Sequence, residues 1–211
     1  MTFLEAEIIR YTIIVLLALF FTWLILAALR RQSDYQYKIN DFEKREAGKR
    51  GEREATKLIK SVCREDDYLF TNVQVSYEGK EAELDNVVVN SKGVFIFEVK
   101  SYSGILVGDE EDESWTKYHE SSGGNVYEKT VRNPIPQVKR QVYILAKYLN
   151  YYGISVWVDG YAIILGAKSP IASEMIIRSV PQIDEAIHLK GKNKLKKSEV
   201  EKICKLFEEE R

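Results

Sequence analysis

The sequence predicts an α/β domain carried behind a single apolar helix, and three observations point there. Residues 11–29 hold no charge; three strand-like segments follow one another within residues 68–101; and apolar residues recur at helical spacing in residues 51–63, 133–153 and 196–210.

The first run, YTIIVLLALFFTWLILAAL, is 19 residues long. At about 1.5 Å rise per residue it nearly matches a hydrocarbon core of roughly 30 Å, which predicts one membrane-spanning helix in contact with the lipid bilayer. A cleaved signal peptide is the rival reading, but its apolar part usually runs about 7–15 residues, and no small-x-small cleavage site precedes Arg30 and Arg31. Arg10 stands alone before the span, whereas Arg30, Arg31, Lys38, Lys44, Arg45, Lys49 and Arg50 follow it. That asymmetry predicts a single-pass protein with residues 1–10 outside and the globular part in the cytoplasm. Residues 30–47 are charged and free of Pro and Gly, which predicts a helical stalk, with a domain over 48–211.

Beyond residue 31 the chain carries 28 basic against 30 acidic residues. A global electrostatic pull on nucleic acid is thereby excluded, and only local patches remain. The densest is LKGKNKLKKSEV, with Lys190, Lys192, Lys194, Lys196 and Lys197, which reads either as a phosphate contact or as a solvated loop. Cys63 and Cys204 belong to no Cys-x-x-Cys or Cys/His cluster, so neither a disulfide framework nor structural zinc is expected.

In GEREATKLIKSVC, residues Glu52, Ala55, Thr56 and Ile59 fall on one stripe of an amphipathic helix, with Arg53 and Lys57 pointing away. YLFTNVQVSY, ELDNVVVN and GVFIFEVKS predict three strands, the last two joined by a hairpin turn at residues 90–93. Residues 109–113, DEEDE, read as a solvated acidic loop, and residues 115–127 as a weaker hairpin turning at 121–124. NPIPQVKRQVYILAKYLNYYG predicts a helix with Val138, Val142, Leu145 and Leu149 on its buried face. Two strand-like runs flank Asp159-Gly160, and Ser198 reads as the cap of a closing helix.

The chemistry gathers on the third strand. Side chains alternate along a strand, so Glu98 and Lys100 share one face while Phe97 and Val99 take the other. Asp85, across the hairpin, comes within range of Glu98 if both project to the same face. Two readings stand. In one, Glu98 and Lys100 lie on a solvent face, as most Glu-x-Lys triplets do. In the other, Asp85, Glu98 and a backbone carbonyl, that of Val99, hold Mg²⁺ or Mn²⁺, and Lys100 stands beside a metal-bound water for phosphodiester hydrolysis. The apolar context favours the second, since isolated buried charges are costly and are normally paired or metal-bound.

Taken together, GKRGE, AELDNVVVNSKGVFIFEVKSYSG and NPIPQ resemble successive motifs of the nuclease-related domain (NERD) family, a branch of the PD-(D/E)XK nuclease superfamily, over residues 48–150. The resemblance implies a restriction-endonuclease-like central mixed sheet flanked by helices. It also implies catalytic roles for Glu52, Asp85, Glu98, Lys100 and Gln137, with Asp85 and Glu98 on the metal and Glu52 completing the acidic site. Leu84 departs from it, standing where the superfamily's named proline precedes the aspartate. From the residues alone, Glu52 also reads as a helix-terminal acid and Gln137 as a first-turn hydrogen bonder. Tyr102, Trp115 and Tyr127 read as core or rim packing rather than base-stacking platforms.

The function expected is a membrane-anchored, metal-dependent nuclease acting on DNA or RNA. The alternative is an inactive nuclease-fold module that holds nucleic acid or a protein at the membrane. A structural membrane protein is a third reading.

Overall fold

A computed structural model describes residues 3–121 and 123–209, with side chains described at residue 16 and from residue 19 onward apart from Ser122. The chain divides into two compact units, Met1–Ala47 and Gly48–Arg211.

Helix α1, Phe3–Val62, takes in the expected span, the stalk and the first amphipathic segment without a break. Within the first unit Arg45 pairs with Asp41 at 2.9 Å across one helical turn. Leu16, Leu19, Phe20, Phe21 and Trp23 are exposed there. Within the expected span the side chains of residues 11–15, 17 and 18 lie outside the described residues. Among the described residues no helix is long and apolar enough to cross a membrane, so the expected anchor is not borne out by the fold.

The second unit is a mixed α/β structure compatible with a nuclease fold. Its strands are β1 (Tyr68–Tyr77), β2 (Lys80–Asn90), β3 (Gly93–Val107), β4 (Ser114–Glu120), β5 (Val126–Arg132), β6 (Val158–Lys168) and β7 (Ile176–Ile177). All seven belong to one sheet, with β1 to β5 neighbours in chain order, β6 parallel to β3, and β7 parallel to β6. The long β3 is the hub. Its first half lies between β2 and β6, and its end also pairs with β4.

Helices α2 (Ile135–Tyr151) and α4 (Lys197–Glu209) pack on one face over Val87, Val94 and Ile96. The domain part of α1 and helix α3 (Val180–His188) cover the other, over Val88, Phe95 and Phe97. Alternation along β3 thus feeds two cores at once, which is why the strand reads as continuously apolar.

Several expectations are corrected. Asp159-Gly160 does not separate two strands; β6 runs through it. A Cβ on Gly160 would come within 2.5 Å of Val142 and 2.6 Å of Val138, so this glycine admits α2 against the sheet rather than making a turn. Ser198 lies inside the first turn of α4, and Glu199 Oε2 accepts from the Lys196 backbone N–H at 2.8 Å, the reciprocal half of a capping box. The acidic loop is fastened rather than merely solvated. The fully buried Asn133 side chain donates to the carbonyls of Glu110 and Asp112 (2.9 and 2.6 Å) and accepts from the Ile135 N–H that opens α2. Trp115 is core and Tyr127 is exposed, while Tyr102 packs partly buried beside the Trp115 cluster. Ser122, within the expected turn at 121–124, lies outside the described residues. Neither β7 nor α3 is anticipated by the sequence reading.

Candidate active site

The site forms where β2 and β3 part. Their ladder ends at Asn86 opposite Phe97. One residue further, the Asp85 carboxylate takes over the role of a ladder acceptor and receives the Val99 backbone N–H at 2.8 Å. On its other side the β1–β2 register skips Asn72 and Asp85, resuming at Val73 opposite Leu84. Asn72 sits at φ 54°, a left-handed conformation that Asn tolerates better than most residues. The interruption on both sides leaves Asp85 at a gap in the sheet.

Glu98 is 2 % exposed and faces α2. Lys100 Nζ and Gln137 Nε2 both donate to its Oε1, at 2.5 and 2.6 Å, and Gln141 Nε2 donates to its Oε2 at 2.6 Å. Gln141 Nε2 also reaches the Glu83 carbonyl at 2.9 Å, so one buried amide spans the fork between β2 and β3. Gln137 and Gln141 are one helical turn apart and therefore present their amides to the same carboxylate.

Burial pushes the Asp85 carboxyl up, the nearby Glu98 charge pushes it further, and the Val99 N–H pulls the other way; the result is about 7. The Glu52 charge also raises it and the Lys100 charge lowers it. Asp85 is thus a carboxylate held where a second negative charge is already present, and among the described residues it forms no ion pair of its own.

The domain part of α1 brings up Glu52. Gly51 makes this possible, because a Cβ there would lie 2.9 Å from the Ser101 Cβ of β3. Only a glycine at that point lets the helix approach the strand so closely. Glu52 and Asp85 then line one cavity of about 320 Å³ together with Arg53, Thr56, Lys57, Thr71 and Asn72. Thr56 Oγ1 donates to the Asn86 Oδ1 beneath at 2.6 Å.

Of the five site residues read from the sequence, Glu98, Lys100 and Gln137 share direct hydrogen bonds, Asp85 joins them through Val99 and through charge, and Glu52 joins Asp85 across the cavity. Gln141, the third donor to Glu98, is not among them, although the i, i+4 repeat Gln137/Gln141 is a usable signal for it. Among the described residues no three His, Cys, Asp or Glu side chains cluster as a ready-made metal cage. Mg²⁺ does not require one, since it keeps several waters and takes one or two carboxylates plus substrate phosphate oxygens. Asp85 and Glu98 supply carboxylate oxygens of that kind.

A family model described as the nuclease-related domain matches residues 47–165. An uncharacterized protein of Bacillus anthracis is 32 % identical over 71 residues, which are 33 % of this chain and 34 % of that protein. The chain therefore spans about a third of that relative's length. No solved structure matches.

Proposed function

Because this chain belongs to the nuclease-related domain family, we propose that it is a metal-dependent nuclease, built on a restriction-endonuclease-like fold, that hydrolyses phosphodiester bonds of DNA or RNA. The observation that carries this reading is the pairing of a carboxylate held by three donors, Glu98, with a second carboxylate, Asp85, that is pushed up to about 7 beside it. Such a pair is relieved by a cation.

Asp85, Glu98 and the Val99 carbonyl would hold Mg²⁺ or Mn²⁺, with Glu52 near enough in charge to assist. When bound, the ion would supply charge neutralisation on the phosphate and lower the pKa of water. Gln137 and Gln141 fix the Glu98 carboxylate so that its oxygens keep one direction. Lys100 Nζ, beside Glu98 Oε1, is the group that orients the attacking water and carries positive charge toward the developing oxyanion. Asp85 would hold the ion in its ionised form, so metal affinity is expected to rise with pH through the region of 7.

Membrane attachment through residues 11–29, with residues 1–10 outside and the domain in the cytoplasm, belongs to the same proposal. It rests on the uncharged run itself and on its exposed Leu16, Leu19, Phe20, Phe21 and Trp23.

A second reading, a module that binds without cutting, draws on the 2.5 Å ion pair that ties Lys100 to Glu98. The discriminating experiment offers labelled single- and double-stranded DNA and RNA to the protein with Mg²⁺, Mn²⁺ or EDTA, beside Asp85→Ala and Lys100→Ala. Metal-dependent cleavage lost in both variants is expected; equal cleavage in variant and wild type overturns the catalytic reading, and binding without cleavage selects the second.

A further inference from the structure

We propose that Arg53 and Lys57, on the domain part of α1, form a clamp for a nucleic-acid backbone phosphate lying in the cavity that Asp85 opens into. The inference rests on the nuclease reading above and adds to it where the strand enters. Arg53 and Lys57 stand one helical turn apart, and both line the 320 Å³ cavity that also contains Glu52 and Asp85. That volume is at the small end of ligand-sized pockets, about 300–1,000 Å³.

Two features suit this pair to a phosphate. Both belong to exposed residues, and neither forms an ion pair among the described residues, so both cations stand open to an anion. The Thr71 hydroxyl and the Asn72 amide, which line the same cavity, add uncharged donors suited to phosphate oxygens.

The cavity is thus divided by charge, with the carboxylates Glu52 and Asp85 against the cations Arg53 and Lys57. A small free anion would meet the carboxylates as repulsion. A phosphodiester strand satisfies both sides, because one phosphate can rest on the cations while its neighbour lies toward the carboxylate pair and any cation it holds. Arginine contributes a planar fork matched to two phosphate oxygens and lysine a point charge.

The test is equilibrium binding of fluorescein-labelled DNA and RNA oligonucleotides to the full-length chain in EDTA, where cleavage is off, over a range of salt concentrations. Two lost phosphate contacts lower the slope of log affinity against log salt by about 1.4 for a single strand and about 1.8 for a duplex. The Arg53→Gln/Lys57→Gln variant is expected to show that drop and a tenfold or greater loss of affinity. The charge-preserving Arg53→Lys/Lys57→Arg variant is expected to keep the wild-type slope, and the unfolding midpoint of both is expected to stay unchanged. A wild-type slope in the double-Gln variant overturns the clamp while leaving the nuclease reading intact. A wild-type chain that binds none of the oligonucleotides, either in EDTA or with Ca²⁺ in its place, overturns both.

Discussion

Two buried charge networks in this domain differ in how completely they are satisfied. In one, His188 lies between Asp184 (Nδ1 to Oδ1, 2.7 Å) and Asp67 (Nε2 to Oδ2, 2.9 Å). Asp67 also accepts from the Asn90 amide and from the Arg64 backbone N–H, each at 2.7 Å. This network joins the end of α3 to the turn before β1 and the end of β2, and both His188 ring nitrogens and the Asp67 carboxylate have partners. In the other, Glu98 has its three donors, but Asp85 beside it is raised to about 7, and Gln141 Oε1 and Asn86 Nδ2 are buried without a partner. Buried charge therefore does not by itself mark a site. What separates the two is incompleteness: the first network is closed and holds elements together, while the second leaves negative charge and hydrogen-bonding capacity for something that is not protein.

The sharpest way to break this contrast is through Asp85. Asp85→Asn is expected to cut nuclease turnover by about a thousandfold or more, in the range that removal of a central electrostatic group produces, measured on labelled oligonucleotides. The same variant should unfold at a higher temperature than wild type at pH 8 without metal, because it deletes a charge that the fold disfavours.

His188→Ala should do the reverse. Taking the histidine from the buried Asp67, which keeps its Asn90 and Arg64 donors, is expected to lower stability by about 2 kcal/mol, read from urea unfolding, while the fraction that stays folded cleaves normally. Smaller again is Gln141→Leu, which removes one of three donors to Glu98. It is expected to reduce turnover about tenfold, in line with a lost hydrogen bond to a charged group worth about 1.5–3 kcal/mol.

The pH dependence has a definite sign. The Asp85 carboxyl is raised from 3.8 to about 7, so the folded chain binds more protons than the unfolded chain between those values. Its contribution makes stability fall as pH rises from about 4 through 7 and level off above. A divalent cation should recover the loss, so Mg²⁺ is expected to raise the melting temperature more at pH 8 than at pH 5, a difference that calorimetry at the two pH values would detect.

How much of this could be read beforehand follows from the range of each signal. Alternation along β3 is local, so the common face of Glu98 and Lys100 is visible in the residues themselves, as is the apolar stripe of α2. Gln141 looks like any polar residue in QVKRQ, because its burial depends on a helix docking over a forked strand pair. Arg53 and Lys57 read as outward-facing since the apolar stripe defines inward; the cavity beside that stripe comes from the gap at Asn72 and Asp85, a tertiary feature. The His188 network joins residues 121 positions apart in the chain, and no periodicity carries that information. Gly160 misleads because Asp-Gly is a strong turn signal, overruled here by the approach of α2.

The proposed cation seat between Asp85 and Glu98 is tested most directly by calorimetric titration of Mn²⁺ into the full-length chain at pH 8, beside Asp85→Asn and His188→Gln. One Mn²⁺ site is expected in the wild type, absent in Asp85→Asn and retained in His188→Gln. A wild-type chain that takes up no Mn²⁺, or a site that survives Asp85→Asn, contradicts the assignment.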